Sequence, residues 1–475
     1  MNLSRTKISF SILLSCGACV SLAQAPVTLE PKIFQFEFYS STVTPTPGRT
    51  NSPPGNILTP QFYQPITTSN NPSSPLSNKY NVPPPGSSSQ VMKQYADEDI
   101  RRLEVVRQQQ RQQANDDAVT LGELHIDYEL PFVSHPDKEA YAVAFNEINE
   151  MLNGTKPLSI ERAVFLSEYA FDRSLKFSEF DQQLNKAATV IGLQMEKDKI
   201  SPRDNLGKIM TTFRFMSDTL SVTTKLEGSI TTYPKTYDFE DFWGKQNYKK
   251  MFVSKTLREG TGQCHSLPLL FLLLCEKTNA DAHLAFAPNH SFIKFQDKHG
   301  KWHNIELTNG MLASDHFMIE SGYIKAEAMQ NRIYLEPLSK KQVIMQCLND
   351  LALGYQKRYG YDVFVKECAN TVIGYDAKNL TARQLLANYY NNLAVYIIRQ
   401  YQNKKLTKAA FDEDKQAQDA VQKAQHANEY IDNLGYADMP EKVYNDWLNS
   451  IQKEISKQQH ANEVKVLGGM IEIKK

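Results

Sequence analysis

At 475 residues the chain is too long for one compact core, which sets a prior of roughly two or three domains. Lysine plus arginine (53) balance aspartate plus glutamate (53), so formal net charge is zero and the basic footprint of a nucleic-acid binder is missing. A hydrophobic fraction of 41% suits a soluble globular protein diluted by some disordered sequence.

The first 25 residues, MNLSRTKISFSILLSCGACVSLAQA, follow a secretory pattern. Arg5 and Lys7 come first, residues 8–14 are apolar, and small residues end at Ala23-Gln24-Ala25. The apolar core is too short to span a bilayer, so residues 1–25 are expected to be a signal peptide. Cleavage after Ala23 is favoured over Ala25, which Pro26 follows. Leu13-Leu14-Ser15-Cys16 also resembles a lipoprotein cleavage box, which makes Cys16 a candidate lipid anchor. No later run of about 18 apolar residues occurs, so no transmembrane helix is expected. The expected location is the periplasm, the outer membrane or the exterior.

Residues 26–95 are rich in Pro, Ser and Asn (TPTPGRTNSPPGN, NVPPPGSSSQ). Such a stretch buries too little apolar surface to offset its ordering entropy, and reads as a disordered tether. Residues 96–221 read as a helical N-terminal region. DEDIRRLEVVRQQQRQQANDDA is polar nearly all round, whereas IERAVFLSEYAFD, FSEFDQQLNKAATVIGLQMEK and NLGKIMTTFRFMSDTLS repeat apolar residues every three or four positions.

Within residues 222–337 the pattern changes. EGTGQCHSLPLLFLLLC (259–275) breaks at two glycines, reaches a cysteine and continues as an apolar helix. Pro268 fits a first helical turn, so the helix should start near His265 or Ser266. That puts Cys264 at a helix N-terminus, where the dipole favours a thiolate. AHLAFAP, NHSFIKFQD and GKWHNIELTNG read as strands separated by Pro288-Asn289 and residues 298–300. A cysteine-bearing helix on an antiparallel sheet is an α+β core. The nucleophile needs a base and an orienting group: His290 opens one strand, and Glu306 lies in the next.

Gly262-Gln263-Cys264, then His290-Ser291-Phe292, then Trp302 through Glu306-Leu307-Thr308 resemble the transglutaminase-like superfamily, over roughly residues 242–310. The resemblance implies a papain-like core and a catalytic Cys264, His290 and Glu306 acting on a peptide or glutamine amide. No cofactor is expected. That family carries Asp where Glu306 stands, and Asn304, two positions earlier, is the alternative orienting residue. The resemblance also implies an upstream oxyanion donor, for which Trp243, Gln246 and Gln263 all qualify.

His265, His283, His299 and His303 lie near these motifs without paired metal-ligand spacing, so no metal site is expected. Cys275 reads as core. Residues 338–475 return to helices. There, residues 351–390 resemble one tetratricopeptide-type helix pair, with Gly360-Tyr361 at the turn and Ala377 where that family has Pro. Cys347 and Cys368 fall on facing sides of this pair, as a disulfide or as two buried thiols. The expected function is an exported, hydrolytic cysteine enzyme. The alternative is a silent envelope scaffold whose C-terminal helices bind a protein partner.

Overall fold

The computed structural model of the chain describes residues 97, 100–112, 125–132, 134–224, 228–321 and 324–437, with isolated positions beyond them. The leader, the Cys16 anchor and the tether lie outside the described residues, apart from a two-residue antiparallel pairing of Ile12–Leu13 with Ile33–Phe34. Contacts divide the chain into two units. One comprises residues 1–35, 127–397 and 419–475, and the other residues 36–126 and 398–418.

In the larger unit, two of the first four helices begin at side-chain caps. α1 (Lys138–Leu152) leads to α2 (Ile160–Phe171), whose N-cap Ser159 accepts from Arg162 N at 3.2 Å. Arg162 grips Glu147 of α1 through two bonds of 2.7 and 2.9 Å. α3 (Phe177–Lys197) and α4 (Asn205–Ser217) follow, the latter capped by Asp204 on Gly207 N at 3.0 Å. A hairpin of β1 (Leu220–Thr224) and β2 (Gly228–Thr232) comes next, although the sequence pattern points only to helix up to residue 221. Then β3 (Thr236–Tyr237) pairs in parallel with β4 (Thr261–Gly262) across a 3-10 turn (Tyr248–Met251) and α5 (Val253–Glu259).

α6 (Ser266–Lys277) starts as the Pro268 position requires, because the first four N–H groups of a helix have no internal acceptor for proline to remove. It is apolar on every side, and it is buried on every side: α3, α4 and α5 flank it, and β5 (His283–Ala287) and β6 (His290–Gln296) lie against it. Each of its Leu and Phe side chains contributes about 1.5–3 kcal/mol of burial. β7 (Trp302–Glu306) and β8 (Met311–Ala313) complete an antiparallel sheet of order β8-β7-β6-β5. The outer edge of β5 is covered, since Leu335 N and Leu338 N donate to Phe286 O and Leu284 O, both at 2.8 Å. The architecture mixes helix and sheet, and no described helix is long and apolar enough to cross a membrane.

Two short helices, α7 (Asp315–Ser321) and α8 (Ala326–Gln330), precede α9 (Lys340–Tyr359), which a Ser339/Gln342 capping box opens. α9 packs on α1, α2 and α10 (Val363–Tyr375), so these helices share one core with Cys264. Gly360 occupies the turn between α9 and α10 with φ 78°. α11 (Leu380–Asn403), α12 (Lys408–Glu413) and α13 (Lys415–Asn433) follow. In the smaller unit, Tyr401 and Phe411 meet edge-on at 5.1 Å.

The disulfide alternative for Cys347 and Cys368 does not hold: both are free. Each sulfur is sealed in the apolar core, and burial pushes both thiols well above their ordinary value. They behave as small hydrophobes. Alkylation in denaturant without reductant is therefore expected to label Cys264, Cys275, Cys347 and Cys368 alike. Mass spectrometry finding Cys347 and Cys368 unlabelled until a reductant is added would restore the bridge.

Candidate active site

The turn before Cys264 is built from two glycines with different jobs. Gly260 ends α5 with φ 75°, a conformation that side-chained residues avoid, and its N–H donates to Thr256 O at 3.0 Å. Gly262 is needed for space: a Cβ there would meet Thr256 Oγ1 at 2.6 Å and Ser266 Oγ at 2.8 Å. Those two hydroxyls lie 2.9 Å apart, and Ser266 Oγ accepts from Gln263 N at 2.9 Å. The clamp ties the end of β4 to the first turn of α6. Cys264 lies one residue before the N-cap, His265.

From there the sulfur faces the turn that starts β6. Cys264 Sγ is 4.0 Å from Asn289 O, and the Ser291 hydroxyl donates to Cys264 O. Asn289 adopts φ 55°, a left-handed conformation that asparagine tolerates better than most residues, and so closes the two-residue Pro288-Asn289 turn. His290 then opens β6. Its Nε2 lies 2.5 Å from Glu306 Oε2, and the Cys264 thiol is near enough to act on the ring. With Nε2 taken by the carboxylate, Nδ1 is the nitrogen left for sulfur.

Register explains why glutamate serves here. Ile293 pairs with Ile305 and Lys294 with Asn304, so Glu306 stands on the His290 face of the sheet and diagonal to it. The two methylenes of the Glu306 side chain span the diagonal. Glu306 Oε1 also accepts from Thr308 N at 2.8 Å, which fixes the carboxylate.

The pair is buried and charged. Burial disfavours the His290 imidazolium, but the Glu306 carboxylate and the Cys264 thiol outweigh it and raise the ring to about 10. Burial would likewise raise Glu306, yet His290 and Thr308 hold it below its ordinary value. Cys264, His290 and Glu306 are only 1%, 4% and 1% exposed. A cleft of about 570 Å³ borders β5 at Phe286 and Ala287, the latter paired with His290, but none of Cys264, His290 and Glu306 lines it.

The other expected residues fare differently. Asn304 is not the orienting group: its Nδ2 donates to Asp315 Oδ1 at 2.8 Å, beside Lys294 on the same carboxylate oxygen. Gln246 is exposed, in a loop that Asp241 ties through the Gln246 and Asn247 N–H groups, so it is no buried oxyanion donor. Gln263 is buried but spends its amide on Asp238 O at 3.0 Å, which makes it a positioning residue. Trp243 is buried, its ring 5.2 Å from that of Phe242.

Sequence reasoning missed a second polar cluster behind Cys264. Around a cavity of about 20 Å³, room for one water, His265 Nε2 lies 3.5 Å from Asp350 Oδ2, near Glu168. Burial lowers His265 to about 3 and raises Asp350 to about 8 and Glu168 to about 7. Glu168 accepts from Val253 N and Ser254 N at 2.6 and 3.1 Å, capping α5 from a distant helix. No local signal marks that role.

Compared with protein-family models, with curated proteins and with solved structures, the chain matches none.

Proposed function

We propose that this chain is an exported cysteine enzyme with a transglutaminase-like, papain-like core, hydrolysing a peptide or glutamine amide. The observation that supports the reading is the buried His290 ring, 2.5 Å from Glu306 Oε2 and raised by both Glu306 and the Cys264 thiol. Nucleophile, base and orienter thus form one row.

In the proposed reaction His290 takes the Cys264 thiol proton, the sulfur bonds to the amide carbon and the carbonyl electron pair moves to oxygen. Collapse breaks the C–N bond, and the leaving amine takes the proton from His290. Water, deprotonated by His290, then attacks the thioester carbon; the C–S bond breaks and His290 returns that proton to the departing sulfur. Glu306 holds the ring tautomer and stabilises its charged form. Substrate entry requires the Pro288-Asn289 turn to move off the sulfur, because that side is closed by Asn289 O.

That same closure favours a second reading, in which the core is silent and the chain is an envelope scaffold that binds a partner through its C-terminal helices. Iodoacetamide on the native protein near pH 7 separates the two. The enzymatic reading expects Cys264 to react faster than free cysteine, with Cys275, Cys347 and Cys368 untouched and Cys264→Ser giving no native label. Cys264 reacting no faster than Cys275 would leave only the scaffold.

A further inference from the structure

We propose that the recess between α3, α4, β2 and α5 binds a single-tailed aliphatic carboxylate, its chain against the apolar walls and its headgroup on Lys235 and the Thr232 hydroxyl. The recess holds about 430 Å³, and its walls are Ala187, Val190, Phe215, Ile230 and Leu257. α3 contributes Gln183, Lys186, Ala187 and Val190, the three- and four-residue spacing of one helical face. A surface of this kind on a globular protein ordinarily turns inward. Here it lines an open volume.

Two polar groups in the wall lack partners. Thr232 Oγ1 is buried and makes no hydrogen bond among the described residues. The Lys235 ammonium has no carboxylate partner among the described residues, and its neighbour is the Phe215 ring at 5.8 Å. Burial alone acts on this cation and holds it below its ordinary value, the direction expected where no counter-charge sits nearby. A buried hydroxyl and a half-buried ammonium left unsatisfied are both costly. A carboxylate answers both at once, because its two oxygens accept from Lys235 and from Thr232. Lys186, exposed at the rim and likewise without an ion pair among the described residues, adds a second positive charge at the mouth.

The chemistry of the walls decides the rest of the ligand. A small polar anion would leave the apolar faces of Val190, Phe215, Ile230 and Leu257 wet, and a neutral alkane would leave Thr232 and Lys235 unpaired. Only a molecule with both parts matches both. This inference does not depend on the Cys264–His290–Glu306 reading.

Titration calorimetry of the full chain with dodecanoate, dodecanol and butyrate, each below its aggregation concentration, tests it. The expected result is one saturable site for dodecanoate, with dodecanol and butyrate at least about tenfold weaker. Lys235→Met, which keeps length and removes charge, is expected to weaken dodecanoate about tenfold and leave dodecanol unchanged. Ala187→Phe, which fills the recess, should weaken both. Equal binding of dodecanoate and dodecanol, or a Lys235→Met protein that binds dodecanoate as the parent does, would overturn the assignment. So would the absence of saturable binding, the result expected if another segment of the chain occupies the recess.

Discussion

Glu306→Ala is expected to destabilise the folded protein by about 3–5 kcal/mol where the His290–Glu306 pair is fully charged, since removing one partner strands a buried charge. The penalty should depend on pH in a way that the pair dictates. His290 is raised from 6.5 to about 10, so its contribution is complete below 6.5 and is lost as pH climbs toward 10. Glu306 is lowered from 4.5, so its contribution is complete above 4.5 and is lost as pH falls through its depressed value. The destabilisation should therefore peak between 4.5 and 6.5 and shrink on either side. Urea unfolding of parent and variant across pH measures it. Glu306→Gln keeps the shape and an acceptor while removing the charge, so it should show the same pH profile with a smaller amplitude. A penalty that stays flat from pH 4 to 10 in both variants would mean that the ring and the carboxylate do not share a proton-linked interaction.

That pair was legible in the sequence because residue type and spacing carry it. His290 follows a Pro-Asn turn at the start of an alternating run, and Glu306 sits in the next such run, so antiparallel pairing brings them together whatever the rest of the chain does. β5, β6 and β7 follow from the same alternation. The β1–β2 hairpin carries a similar signal in LSVTT and GSITT, but it abuts a helix whose apolar periodicity runs into it. Other features had no local signature. β3 and β4 are two residues each and join Thr236 to Thr261, a contact set by the intervening turn and helix. Asn304 shares a strand face with Glu306, and only the following helix, which brings in Asp315, removes it from the site. Gln263 looks like an oxyanion donor until the fold puts Asp238 O within reach of its amide. The buried faces that carry Cys347 and Cys368 follow from helical periodicity, which fixes a face and says nothing about the distance between two sulfurs.

Gly262→Ala, one methyl group, is expected to cost about 1–3 kcal/mol, in the range of overpacked cores. The new Cβ would lie 2.6 Å from Thr256 Oγ1 and 2.9 Å from Thr256 Cγ2, and 2.8 Å from Ser266 Oγ. Neither neighbour has room to yield. Thr256 and Ser266 are fully buried, Thr256 Oγ1 is also held by Phe252 O at 3.1 Å, and Ser266 Oγ holds Gln263 N. The strain must pass into the backbone of residues 262–264, which seats the sulfur against His290. Displacement by about 1 Å costs a reacting pair on the order of a hundredfold, so native alkylation of Cys264 should fall by that factor while the fold survives. Thr256→Ala in the same chain removes two of the three clashing atoms. It should recover part of both losses, as contacting residues do when their effects are coupled. Thermal unfolding and the labelling rate, measured on the two single variants and the double, give the coupling directly. If Gly262→Ala is neutral in stability and in Cys264 reactivity, the glycine was not holding the thiol in place, and the row from sulfur to carboxylate owes nothing to this clamp.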